Sequence, residues 1–130
     1  MDTTEATTSY LVDEPHFPFC KGCGHSQIIR EIDKALVKLQ LDPTDVVLTT
    51  DIGCAGLADA LFKNAHTVHT THGRSTAFAV GTNLADRILG EGKLKSVVMI
   101  GDGGAMIGLL HIVHAAQINA DITVLLHTNF

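Results

Sequence analysis

The sequence predicts an α/β fold, a parallel sheet with crossover helices, and three observations predict it. Short β-branched runs alternate along the chain with longer apolar runs of helical period. Each strand-like run closes on glycine or polar residues, as strand-to-helix turns do. The 130 residues, 45% hydrophobic and 18% charged, suffice to bury one core without disulfide staples. Strands separated by helices of this length run parallel, because a crossover helix returns the chain to the same end of the sheet.

In chain order, residues 1–15 are polar and Thr-rich and read as an N-terminal arm that orders against a partner. The domain is expected over residues 16–130. From Ser26 to Gln40, the residues Ile28, Ile29, Ile32, Ala35, Leu36 and Leu39 recur at helical spacing. Pro43 and Asp45 punctuate, and Val46 to Thr50 then reads as a buried strand that breaks at Gly53. A short helix is expected over Ala55 to Lys63, a strand over His66 to Thr70, and a turn at His72-Gly73-Arg74. Ser75 to Leu89 is a helix of small apolar residues, closed by Gly90 and Gly92. Ser96 to Ile100 reads as a strand, Ala105 to Asn119 as a helix, and Ile122 to His127 as the last strand.

Bulk properties exclude several classes. The net charge of −5, with no Lys/Arg cluster, argues against a nucleic-acid binder. No stretch reaches the roughly eighteen consecutive apolar residues of a membrane span. The acidic start MDTTEATTSYLVDEP has neither the positive nor the apolar region of a secretory signal, so a cytoplasmic location is expected. Three cysteines cannot all pair, which in a reducing compartment points to a metal or a reactive thiol.

In open parallel sheets, ligands gather outside the carboxyl ends of the strands. Those ends here carry Asp51-Ile52-Gly53-Cys54, Thr71-His72-Gly73-Arg74, Gly101-Asp102-Gly103-Gly104 and Thr128-Asn129-Phe130. The glycines at 101, 103 and 104 let a backbone approach a ligand closely, and amides opening the next helix at Ala105 can donate to an anion. Two phosphate loops are excluded: a dinucleotide fingerprint needs glycine where Met106 stands, and no Gly-Lys-Ser/Thr follows. A carboxylate beside a phosphate site is explained by a hard cation between them. Asp102 and the amide oxygen of Asn129 supply oxygens suited to Mg²⁺. The bland alternative is a β-turn in which Asp102 caps a helix.

Cys20 and Cys23 form a CxxC, with Cys54 farther on. No strand precedes the pair, which weakens a redox dithiol, and Gly24 separates Cys23 from His25, which excludes haem attachment. Structural zinc, with His25 as fourth ligand, and an iron–sulfur centre both remain open. His111 and His114 stand three apart on one helix, a possible transition-metal pair or two locally bonded histidines. Arg74 can pair with a diphosphate or a substrate carboxylate, or lie in a solvated turn.

Gly101-Asp102-Gly103 followed by Asn129 resembles the metal and diphosphate motif of thiamine diphosphate enzymes. "CKGCGH", "DIGC", "THGRSTAFAVGTNLA" and "IGDGGAMIGLLHIVHAAQINADITVLLHTNF" occur here in the order found in one branch. Over about residues 17–130 the chain is similar to β subunits of 2-oxoacid:ferredoxin oxidoreductases, particularly the 2-oxoglutarate type.

The resemblance implies a thiamine diphosphate-binding fold, of which this chain is the N-terminal half. It implies thiamine diphosphate, Mg²⁺ and a [4Fe–4S] cluster as cofactors. Cofactor contacts are expected at Ile52, Gly53, Cys54, His72, Gly73, Arg74, Gly101, Asp102, Gly103, Gly104 and Asn129. Cys20, Cys23 and Cys54 would hold the cluster, and Asp102 and Asn129 the Mg²⁺. The implied activity is CoA-dependent oxidative decarboxylation of a 2-oxoacid to acyl-CoA and CO₂, with electrons passed to ferredoxin. The activating carboxylate is expected on an α subunit, without which this chain is inactive.

Three departures stand out. Relatives place a fourth cysteine and further Mg²⁺ ligands beyond the position of Phe130, so the 130 residues read as a piece of a longer chain or half of a split subunit. Leu57 stands where relatives often carry a Lys or Arg suited to a substrate carboxylate, and Gly104 where many carry a second Asp. The rival readings are another thiamine diphosphate enzyme, such as a non-oxidative decarboxylase subunit, and a zinc-stabilised non-enzymatic domain.

Overall fold

The computed structural model describes residues 8–128. A helix, α1 (Gly24–Leu39), precedes the first strand, β1 (Val46–Thr50). A 3₁₀ segment over Cys54–Leu61 leads to β2 (His66–His69), and α2 (Ser75–Leu89) crosses over to β3 (Lys95–Gly101). Two short helices, α3 (Asp102–Ile107) and α4 (Leu109–Gln117), lead to β4 (Ile122–His127). No helix among the described residues is long and apolar enough to cross a membrane.

All four strands are parallel, in the order β2-β1-β3-β4. The α/β expectation holds, and Val46 to Thr50 is buried along its whole length, as a central parallel strand must be. From β1 the chain steps outward to β2, then returns past β1 to β3 on the other side. The order therefore reverses between β1 and β3, and a crevice opens beyond their carboxyl ends.

Two clusters fill the sheet's faces. The larger joins Ile29, Ile32 and Leu36 of α1 to Val46, Leu48 and Met99 of the sheet, with Tyr10, Leu11, Leu61 and Phe62. The smaller comprises Ala79, Val98, Ile100 and Ala105. Beyond it, the helices leave Phe78, Ile88, Met106, Leu110 and Val113 exposed.

Three boundaries differ from expectation. Residues 1–7 lie outside the described residues, but Ser9 to Val12, expected to order against a partner, lie against this chain's own core. Tyr10 is fully buried, its hydroxyl donates to the Leu41 carbonyl at 2.6 Å, and its amide donates to Asp33 at 2.7 Å. A buried aromatic with its polar tip satisfied anchors the segment, and Leu11 bridges Phe62 in antiparallel fashion.

The helix expected from Ala55 is a 3₁₀ segment. The one expected over Ala105 to Asn119 starts at Asp102 and breaks at Gly108. The break has a steric cause: a Cβ on Gly108 would stand 2.2 Å from the Gly73 carbonyl oxygen. The chain there makes room for the turn after β2.

Candidate functional site

The crevice at the topological reversal holds a cavity of about 250 Å³. Ile52, Gly53 and Cys54 from the end of β1 line it, with His72 from the turn after β2. Gly101 to Gly104 form another wall, and His25 and His127 complete it. Most of the residues expected at the cofactor therefore meet in one place.

Asp51 organises this place from behind. It is fully buried, and its two carboxylate oxygens accept from the Gly73 amide at 3.0 and 2.9 Å. One oxygen also accepts from the Ser75 hydroxyl at 2.9 Å and lies 3.5 Å from the Ser75 amide nitrogen. The His72 ring stands 3.9 Å away. A buried carboxylate is tolerated only with such a set of donors. On the opposite side, a Cβ on Gly104 would come within 2.6 Å of the same carboxylate. Asp51 thus fastens the His72-Gly73-Arg74 turn to the end of β1 and leaves room only for glycine in the turn after β3. Gly73 itself adopts a φ of +75°, which glycine takes without strain.

Asp102 opens α3, three residues earlier than the helix start expected from the sequence. Its carboxylate is exposed on the cavity wall and has no hydrogen-bonding or ion-pair partner among the described residues. The amides of the first turn of α3, from Asp102 to Gly104, have no acceptors within the helix. A hard carboxylate oxygen beside open amides fits a diphosphate held through Mg²⁺. Asn129, the second expected metal ligand, lies outside the described residues.

His127 pairs with Gly101 in the β3–β4 ladder. Its side chain is buried, and neither ring nitrogen has a hydrogen-bond partner among the described residues. Burial, helped by neighbouring His25, lowers its pKa to about 4, so the ring is neutral at pH 7. An unsatisfied polar group in a cavity wall fits a site shaped for a polar ligand.

His25 links this cavity to the cysteine motif. Its ring stacks on Phe19 at 5.3 Å and meets His127 edge-on at 5.4 Å. Its Nδ1 lies 3.1 Å from the Cys23 sulfur. Cys20, Cys23 and Cys54 are all free thiols. Among the described residues, no three His, Cys, Asp or Glu side chains converge at a distance suited to a single metal ion. Cys54 lines the cavity itself, whereas Cys20 and Cys23 do not.

Arg74 takes a different place from the one expected. It does not line the cavity, and its guanidinium donates to His111 Nε2 at 2.8 Å. That contact makes the His111 ring nitrogen an acceptor and occupies one member of the apparent His111/His114 metal pair. Asp51, His25 and His127 were absent from the expected cofactor contacts. The available signal was at Asp51, a carboxylate directly after a fully apolar and β-branched run, where burial demands partners.

Comparison with known proteins agrees with this geometry. The family described as "Thiamine pyrophosphate enzyme, C-terminal TPP binding domain" matches residues 51–130. The chain is 41% identical, over 85% of its length, to the β subunit of 2-oxoacid:ferredoxin oxidoreductase 1 from Aeropyrum pernix, covering 33% of that protein. It is 35% identical, over 88% of its length, to 2-oxoglutarate synthase subunit KorB from Methanothermobacter thermautotrophicus, covering 38% of it. The structure of a 2-oxoglutarate:ferredoxin oxidoreductase from Magnetococcus marinus, with 2-oxoglutarate, coenzyme A and succinyl-CoA bound, superposes with a TM-score of 0.82. That match covers 92% of this chain and 39% of the other at 33% identity. The chain thus spans between a third and two fifths of the length of these proteins. The likeness to 2-oxoacid:ferredoxin oxidoreductase β subunits holds, and by its match, its sheet and its strand-end cavity the chain belongs to the thiamine pyrophosphate enzyme family, in its C-terminal TPP-binding domain.

Proposed function

We propose that this chain acts as the thiamine diphosphate-binding segment of a 2-oxoacid:ferredoxin oxidoreductase β subunit. The reaction would be CoA-dependent oxidative decarboxylation of a 2-oxoacid, with 2-oxoglutarate favoured by the relatives. One observation carries the reading: a single cavity joins the Asp102 turn to Cys54 and, through His25, to the CxxC motif.

Thiamine diphosphate, when bound, supplies the carbanion chemistry of decarboxylation, and the protein supplies orientation and electrostatics. Asp102, with Asn129, would hold Mg²⁺ against the diphosphate, while the open amides of Gly103 and Gly104 donate to it. Asp51 keeps His72 and Gly73 in register with that turn. Cys20, Cys23 and Cys54 would ligate a [4Fe–4S] cluster, which supplies one-electron acceptance. Thiolates of this kind belong in a reducing compartment, consistent with the cytoplasm. The exposed apolar residues Phe78, Ile88, Leu110 and Val113 offer a surface for the α subunit, which would bring the activating carboxylate. Leu57 brings no cation to a substrate carboxylate, so that charge would be met by another residue or by the partner.

The test is anaerobic purification of the full chain with its α subunit. A brown protein containing iron and sulfide, binding thiamine diphosphate with Mg²⁺ and reducing ferredoxin with 2-oxoglutarate and CoA, is expected. A colourless complex with stoichiometric zinc and no thiamine diphosphate binding overturns the reading.

A further inference from the structure

We infer that His127 contacts the ligand: one ring N–H donates to a phosphate oxygen of the diphosphate held at the Gly101–Gly104 turn. The inference rests on the cofactor reading above and adds a residue that the expected contacts lacked.

Three observations carry it. His127 is only 3% exposed, yet neither ring nitrogen has a partner among the described residues. An imidazole buried in that state has given up water without a replacement, a cost that native structures rarely leave unmet. His127 lines the cavity of about 250 Å³ together with the glycine turn. The strand register then selects the end of the ligand, because His127 pairs with Gly101, the residue from which α3 and its open amides begin.

His25 fixes the ring without satisfying it. The two rings meet edge-on at 5.4 Å, and the Nδ1 of His25 is engaged with Cys23. Phe19 backs His25 from the other side. His127 is therefore held beside the cavity with neither ring nitrogen engaged by a group of the described residues, and a small turn of the ring about its side-chain bonds brings one nitrogen to a ligand there. As a neutral imidazole it offers one donor and one acceptor, and the donor suits an anionic oxygen.

The test uses the full chain in complex with its α subunit, with the chain's histidine rings labelled for nitrogen NMR, and His127→Gln to identify the His127 signal. Inorganic pyrophosphate with Mg²⁺ and thiamine diphosphate with Mg²⁺ are expected to move that signal. Thiamine, which has no phosphate, leaves it in place. By calorimetry, His127→Phe weakens thiamine diphosphate binding about tenfold, while His127→Gln, which keeps a donor, stays within about threefold of the native chain. A His127 signal that stays fixed as thiamine diphosphate saturates the chain overturns the inference and leaves the cofactor reading standing. Unchanged affinity in His127→Phe does the same. A native chain that binds neither probe overturns the cofactor reading, and this inference with it.

Discussion

β1 and β3 each end one residue before an aspartate, and the fold treats the two carboxylates in opposite ways. Asp51 is fully buried, and backbone and hydroxyl donors from Gly73 and Ser75 occupy its oxygens. Asp102 is exposed and has no partner among the described residues. The first is a fastener between two turns, and the second is an unpartnered carboxylate facing a cavity. Proximity to a strand end does not distinguish them; the donors supplied by the next turn do. Two variants would break the comparison. Asp51→Ala leaves buried N–H and O–H groups unmet and is expected to cost about 4 kcal/mol in chemical denaturation. Asp102→Ala is expected to change stability by less than about 0.5 kcal/mol. Equal losses in the two variants would mean that the carboxylates do not differ in role.

His127 sharpens the contrast, because it is buried like Asp51 and unpartnered like Asp102. Burial and His25 hold its folded pKa at about 4, against 6.5 for an ordinary histidine. Above pH 6.5 both folded and unfolded chains carry it neutral, and its stabilising share is fully present. As pH falls from 6.5 to 4, the unfolded chain takes up the proton first, so stability drops, and below 4 the loss levels off. The expected loss is about 3 kcal/mol for the ligand-free chain, read as the difference between native and His127→Gln denaturation curves across that range. A difference curve that is flat between pH 6.5 and 4 would show that the ring finds a partner or water in solution.

The next effect is on binding. Asp102→Ala is expected to weaken Mg²⁺-dependent thiamine diphosphate affinity on the order of a hundredfold while leaving the iron content of the complex unchanged. Unaltered affinity would show that Asp102 caps a turn and nothing more.

Much of this arrangement was legible in the sequence, and the gaps have a common origin. Val46 to Thr50 was clear because a fully buried central strand must be continuously apolar or β-branched, and α2 because Gly90 closes it. Asp102, Gly101 to Gly104, Ile52 to Cys54 and His72 were placed at one edge by strand-end logic alone, and they meet at one cavity. What was hidden depends on residues far apart in the chain. Tyr10 is anchored by Asp33 and Leu41. The helix break at Gly108 exists because Gly73 lies against it. Arg74 looked like a ligand for an anion, but its partner is His111, thirty-seven residues on. Periodicity reports the environment of a segment, not which distant residue will meet it.

The smallest effects discriminate within a single turn. Gly103 and Gly104 are adjacent and neither has a positive φ, so conformational freedom does not separate them. Space does. A Cβ at Gly104 would lie 2.6 Å from Asp51 Oδ1 and 2.9 Å from its Cγ, while one at Gly103 would meet nothing nearer than the His72 ring nitrogen at 3.8 Å. Asp51 cannot retreat without releasing Gly73 and Ser75. Gly104→Ala should therefore cost about 2 kcal/mol in thermal or chemical denaturation, and Gly103→Ala less than about 0.5 kcal/mol. If Gly104→Ala is as harmless as Gly103→Ala, the buried carboxylate is not the rigid post that holds the two turns in register.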